Sequence, residues 1–171
     1  MSTGKMYLRS DIKIESVIPD KLDLDMSTYR NRVRSKERYN YRVVYKYSDL
    51  LISSDRDICK NIRDPLKEIY EQLEFCIEKN PLFLKSLSPV EVKSYFPPIV
   101  KKMCQKASIF RVGPMATVAG AVCEYLAHAL SGYCKRLIIE NGGDVYIKAD
   151  RDVTIDVFLK NKCFRDRVKL L

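Results

Sequence analysis

The sequence predicts an α+β fold in which helices pack on a largely antiparallel sheet. Three observations carry that reading. Tyrosines and valines alternate with polar residues through 39–47, apolar residues recur at helical spacing between 64 and 131, and short apolar runs broken by turn residues fill 136–171.

Ile12 to Ile18 reads as a short strand, and Asp20, Asp23 and Asp25 mark a polar connector, so residues 1–28 form an N-terminal strand and connector ahead of one domain over 29–171. Tyr39, Tyr41, Val43, Tyr45 and Tyr47 have period two, and Leu50, Leu51 and Ile52 continue that strand or pair back after Ser48-Asp49. Asp64-Pro65 opens a helix, with Asp at the N-cap and Pro at the first helical position; Leu66, Ile69, Leu73 and Ile77 form its stripe, and Asn80-Pro81 stops it. Ser88-Pro89-Val90-Glu91 has capping-box spacing and predicts a second start. Pro97-Pro98 breaks or kinks the chain there, and the helical pattern resumes from Ile99 to Ala107. Residues 114–131 form the clearest helix, with Met115, Val118, Ala119, Val122, Leu126 and Leu130 on one face. Strands are expected at 136–141, 144–149 and 153–159, with a fourth at 164–171.

Composition narrows the function classes. At 171 residues the chain is long enough to bury a core without staples. No apolar run reaches the roughly 18 residues of a membrane span, and no secretory signal opens the sequence; a cytoplasmic location with no membrane partner is the expectation. The six cysteines lack any C-x-x-C pair and His128 is the one histidine, so reduced buried thiols are expected rather than a metal site. The net charge of +9 points to an anionic partner. Much of it lies in Arg30, Arg32, Arg34, Lys36, Arg38, Arg42 and Lys46, interleaved with Tyr29, Tyr39, Tyr41, Tyr45 and Tyr47. Such a stretch suits single-stranded nucleic acid, but a packed amphipathic strand with solvated arginines accounts for it more simply.

Two stretches stand out, "GPMATVAGAV" at 113–122 and "IIENGGDVYI" at 138–147. Gly113 at a helix N-cap followed by Pro114 would leave the N–H groups of Met115 and Ala116 facing outward, where a phosphate could sit; the same features describe a water-capped helix. Thr117, Gly120, Glu124 and His128 share a small, polar helix face. Gly120 costs about 1 kcal/mol relative to alanine, so close approach of a backbone or ligand is expected there. Glu124 and His128, four apart, can meet as an acid–base pair or as a satisfied surface pair. Asn141-Gly142-Gly143 is a hairpin signal; the second glycine forms a bulge or admits a ligand, and Glu140 and Asp144 could hold a cation or ribose hydroxyls. Walker, Rossmann and nucleophile-elbow patterns are absent.

Together with "YSDLLIS" at 47–53 and "NPLFLKSLSPV" at 80–90, "VGPMATVAGAVCE" at 112–124 and "IIENGGDVYI" resemble an uncharacterised prokaryotic family related to ApbE, the flavin transferases once called thiamine-biosynthesis lipoproteins. The resemblance runs from about Tyr29 to about Leu159 and implies an ApbE-like fold with a flavin-nucleotide pocket between the 113–128 helix and the 140–144 turn. It implies that Gly113, Thr117, Gly120, Glu124, Asn141, Gly142, Gly143 and Asp144 surround that pocket, with Met115 and Ala116 at the helix start. The sequence departs where such enzymes have Lys-Gly followed four residues later by Asp; here Ala119-Gly120 and Glu124 stand. It also ends before a stretch whose Asp and Thr would hold magnesium in full-length relatives. Weak binding of FAD, FMN or an adenine nucleotide without flavin transfer is the expectation, with the edge at 164–171 covered in a homo-oligomer. The alternatives are a nucleic-acid or anionic-surface binder through 29–47, or an assembly protein.

Overall fold

The structure is a computed structural model that describes residues 12–16, 35, 37–156 and 167–170, with the backbone alone for 154–156 and 167–170. Five antiparallel strands form one sheet in the order β1 (Lys13–Ser16), β2 (Tyr39–Tyr45), β3 (Ser48–Ser54), β4 (Leu137–Asn141), β5 (Asp144–Lys148). Helices α1 (Cys59–Lys79), α2 (Pro81–Lys85), α3 (Pro98–Phe110) and α4 (Val118–Leu130) lie between β3 and β4 in the chain, with a 3₁₀ turn at Pro114–Thr117 leading into α4. A separate antiparallel pair joins β6 (Val153–Asp156) to β7 (Arg167–Leu170). The α+β class expected from the sequence is the class found.

Alternation decides which sheet face is covered. Tyr41, Val43 and Tyr45 of β2 align with Ile52, Leu50 and Ser48 of β3, and these with Ile139 and Asn141 of β4. All eight are buried. Against them pack Ile62, Leu66, Ile69 and Leu73 of α1, Ile99, Val100 and Met103 of α3, and Val122, Leu126 and Leu130 of α4. Burying each large aliphatic side chain stabilises the fold by about 1.5–3 kcal/mol. The inward residues of the edge strand β5 are Asp144, Tyr146 and Lys148, and all three meet α4 or the turn that leaves it.

Several local expectations are corrected. Helix α1 begins at Cys59, six residues before Pro65, which lies inside it. The Asp57 carboxylate accepts the Cys59 N–H (3.0 Å) and the Tyr41 hydroxyl (2.7 Å), and Ile58 and Ile62 are fully buried. Those gains outweigh the one backbone bond Pro65 forfeits. No helix starts at Ser88. The Ser86 hydroxyl donates to Ser88 O (2.6 Å) and accepts the Ser88 N–H (3.2 Å), a local closure that competes with a helical turn. Asn80-Pro81 ends α1 and also begins α2. The β2–β3 turn is Lys46-Tyr47, two residues before the expected Ser48-Asp49. The C-terminal segment pairs in part, β7 with β6 of the same chain.

Candidate functional site

Asn141 and Asp144 face each other across the β4–β5 ladder, so Gly142-Gly143 is a two-residue loop. Both glycines have positive φ, 63° and 101°, as a primed hairpin turn requires. The second glycine is therefore a loop residue of the hairpin and not a bulge. Glu140 fastens the turn from the outer sheet face, its Oε1 accepting the Gly143 N–H at 2.7 Å. Asn141 points inward; its Nδ2 donates to Ser48 Oγ and Ala119 O, each at 3.4 Å, and Tyr70 OH donates to the same Ser48 hydroxyl at 2.7 Å. Asn141 thus ties β4 to α4 and to the β2–β3 hairpin. A Cβ placed on Gly142 or Gly143 would find no atom within 4 Å, so the tip of the turn stands open.

The helix start is built differently from the expectation of one α-helix over 114–131. Residues 114–117 wind as a 3₁₀ turn, and the Ala116 N–H is bonded to Gly113 O at 3.1 Å. Gly113 is buried, and a Cβ there would fall 1.7 Å from Ser86 O; close packing of the 86–87 backbone accounts for this glycine. Met115 packs against the core. The Thr117 hydroxyl donates to Pro114 O at 2.8 Å and approaches Met103 O at 3.4 Å, joining this turn to α3.

Gly120 behaves otherwise. A Cβ there would lie 3.8 Å from both Cγ and Oδ2 of Asp144, with no other group within 4 Å beyond the helix itself. The exposed Asp144 carboxylate therefore leans over a bare stretch of α4 backbone, beside the open Gly142-Gly143 tip. Glu124, one turn on, pairs with Lys102 of α3 (2.8 Å), which raises the lysine above its ordinary pKa. His128 is exposed, and its ring meets Tyr146 edge-on with centroids 6.1 Å apart. The Glu124–His128 pairing foreseen as one possibility is replaced by these two contacts. The resulting notch is acidic and can accept hydrogen bonds from hydroxyl groups or hold a cation, but its charge disfavours phosphate.

The basic, tyrosine-rich stretch is largely used internally where it is described. Tyr41 and Tyr45 are buried, Arg42 forms a two-bond pair with Asp49, and Lys46 pairs with Glu74 over the Tyr45 and Tyr70 rings. Tyr29, Arg30, Arg32, Arg34 and Lys36 lie outside the described residues. Among the described residues no three His, Cys, Asp or Glu side chains are grouped to hold a metal. Burial pushes the Cys76 thiol up to about 11 and the Cys123 thiol up to about 12, and raises those of Cys104 and Cys134. Such thiols are poor nucleophiles. No described helix is long and apolar enough to cross a membrane.

Sequence reasoning missed three features: the Tyr70–Ser48–Asn141 chain of hydrogen bonds, the Lys102 partner of Glu124, and a basic depression where β3, β5 and the turn after α4 converge. The inward phase of Ser48 on its strand was a usable signal for the first. The others join residues far apart in sequence, and no local pattern announces them.

The comparisons with known proteins correct the family assignment. The matching family model, described as AbpE bacteria, covers residues 30–171. The chain is 37% identical to UPF0280 protein MJ1526 of Methanocaldococcus jannaschii over 124 residues, 72% of this chain and 50% of that protein. It is 32% identical to UPF0280 protein MK0206 of Methanopyrus kandleri over 124 residues, again 72% and 50%. Against UPF0280 protein MmarC6_1437 of Methanococcus maripaludis it is 43% identical over 90 residues, 52% of this chain and 36% of the relative. The chain thus spans about half the length of the first two of these relatives. UPF0280 is a different family from the ApbE flavin transferases, and nothing in these matches indicates the latter, so the resemblance read from the glycine motifs does not stand. With a match over 30–171, the chain belongs to the family described as AbpE bacteria.

Proposed function

We propose that the chain is a ligand-binding domain that takes the hydroxyl-bearing part of a nucleotide-class ligand, a flavin or adenine nucleotide, in the notch between α4 and the β4–β5 turn. One observation carries the reading: Asp144 leans over Gly120 with no other group within 4 Å of the missing Cβ. A carboxylate beside exposed helix backbone is a good acceptor for ribose or ribityl hydroxyls, and the absent side chain lets a ligand approach closely. The open Gly142-Gly143 tip supplies a second wall without side chains. The nearby carboxylates of Glu124 and Glu140 are tied to Lys102 and to the Gly143 N–H, which leaves Asp144 as the acceptor for the ligand.

Calorimetric titration of the chain with riboflavin, FMN and ATP tests the reading. Binding in the high-micromolar to millimolar range is expected, since the notch is shallow. Asp144→Ala and Gly120→Leu should each abolish binding of riboflavin, which carries no phosphate, while the fold stays intact by circular dichroism. Absence of heat for all three ligands, or unchanged riboflavin binding in both variants, overturns it. A nucleic-acid surface at 29–47 has less support, because Arg42, Lys46, Tyr41 and Tyr45 are engaged within the fold and leave Arg38 and Tyr47 as its exposed described members.

A further inference from the structure

Three turns of the chain meet at the far end of β5 from the notch. The turn leaving β3 contributes Arg56, the turn leaving α4 contributes Tyr133, Cys134 and Lys135, and the end of β5 contributes Lys148 and Asp150. Together they line an open depression of about 500 Å³. That volume lies within the range of small-molecule sites, about 300–1,000 Å³.

Its backbone is fixed and its carbonyls are covered. Asp55 Oδ1 accepts the N–H groups of Lys135 (3.0 Å) and Arg136 (2.8 Å), and the Asp55 N–H donates to Arg136 O (3.3 Å), which clamps the 134–136 segment to β3. Lys148 Nζ donates to Ser131 O (2.7 Å) and Cys134 O (3.1 Å). These two bonds occupy the carbonyl of Ser131, which caps α4, and that of Cys134 in the turn beyond it, and leave one of the three ammonium N–H groups for a ligand. The Asp150 carboxylate is 3.4 Å from Arg136 Nη1, so its charge is already opposed. Arg56 and Lys135 are exposed and form no ion pair with any described residue. They add two exposed positive charges to a depression whose lining carboxylate, Asp150, is already paired, while Asp55 is committed to the Lys135 and Arg136 amides. Tyr133, 52% exposed, stands on the rim as a stacking surface.

We infer that this depression binds the phosphate group of a small phosphate monoester, gripped by Arg56, Lys135 and Lys148, with a ring on that ligand resting against Tyr133. The guanidinium fork of Arg56 matches two phosphate oxygens, and the lysines add point charges. The depression is roughly 14 Å along β5 from Asp144, four residues at about 3.4 Å each, so one sugar–phosphate unit does not span both places. The inference is therefore independent of the notch.

Inorganic phosphate and phenyl phosphate are the probes, because neither carries ribose hydroxyls. Titration followed by amide NMR should move the signals of 131–135, 56 and 148 and leave 120 and 142–144 in place. The Arg56→Ala/Lys135→Ala double variant, which removes only exposed side chains, should weaken phenyl phosphate binding at least tenfold and keep the native spectrum elsewhere. Lys60→Ala/Lys67→Ala, two exposed cations on α1, should bind as the parent does. Phosphate-independent spectra, binding within twofold of the parent in the Arg56/Lys135 variant, or equal weakening in the α1 control overturns the inference. A 5′-phosphorylated single-stranded RNA and vesicles containing phosphatidic acid form two further arms. Binding of either that phenyl phosphate does not compete away overturns the small-molecule assignment.

Discussion

Gly120 of α4 and Asp144 of β5 face each other so that a Cβ built on the glycine would lie 3.8 Å from the carboxylate. That distance is an ordinary van der Waals contact, so alanine fits without displacing Asp144. Gly120→Ala should therefore gain the helix propensity of alanine and raise stability by about 1 kcal/mol. Urea denaturation checks this. A loss of stability would mean that β5 approaches α4 more tightly than a methyl group allows.

Gly113 is the contrasting case. A methyl group there would run into Ser86 O at 1.7 Å, and backbone cannot rotate away as a side chain can. Gly113→Ala should destabilise the fold by about 3 kcal/mol, the upper end of overpacking costs. The same urea experiment distinguishes the two glycines, with the midpoint rising for one variant and falling for the other.

Acid stability should depend on Asp55. The amide of Arg136, with that of Lys135, holds its carboxyl below the ordinary value. A depressed folded-state pKa means the contribution is fully present above the unfolded value, about 3.9, and disappears as pH falls through the folded value. Asp55→Asn should therefore be less stable than the parent at pH 7. The difference should shrink below about pH 4. Urea midpoints at pH 7, 4 and 3 give the test, and a difference that stays constant would contradict it.

The buried thiols should resist modification. With Cys123 pushed up to about 12 and Cys76 to about 11, neither carries appreciable thiolate at pH 7.5. Cys59 is only partly buried. Brief treatment of the native chain with a thiol-specific reagent, mapped by mass spectrometry, should label Cys59 ahead of Cys76, Cys104, Cys123 and Cys134. Rapid labelling of Cys123 would show that α4 opens away from β5.

What the sequence revealed and what it hid divide along local and non-local physics. The helical stripe of Leu66, Ile69 and Leu73, the stripe of Val122, Leu126 and Leu130, and the Asn-Gly-Gly hairpin all announce themselves within a few residues, and the structure contains each. The start of α1 was hidden because its determinants are the bond from Tyr41 to Asp57, sixteen residues apart, and the burial of Ile58 and Ile62. Ser88 carried a sound local signal that a serine two residues earlier outcompeted. The glycines show the limit most clearly. Gly113 and Gly120 looked alike as a ligand-lining pair; tertiary packing explains the first, while the second borders open space and one carboxylate. The family motif was similarly ambiguous, since the glycine and turn pattern that suggested flavin transferases belongs to a chain matching a different family.

The most direct test of the proposed function is to map where a nucleotide-class ligand touches the chain. Amide shifts should be followed during titration with riboflavin, which has ribityl hydroxyls and no phosphate. Shifts concentrated at Ala119, Gly120, Gly142, Gly143 and Asp144, and lost in Asp144→Ala, are the expected result. Shifts that are absent, or that fall elsewhere and survive Asp144→Ala, would contradict the assignment of the notch as the binding site.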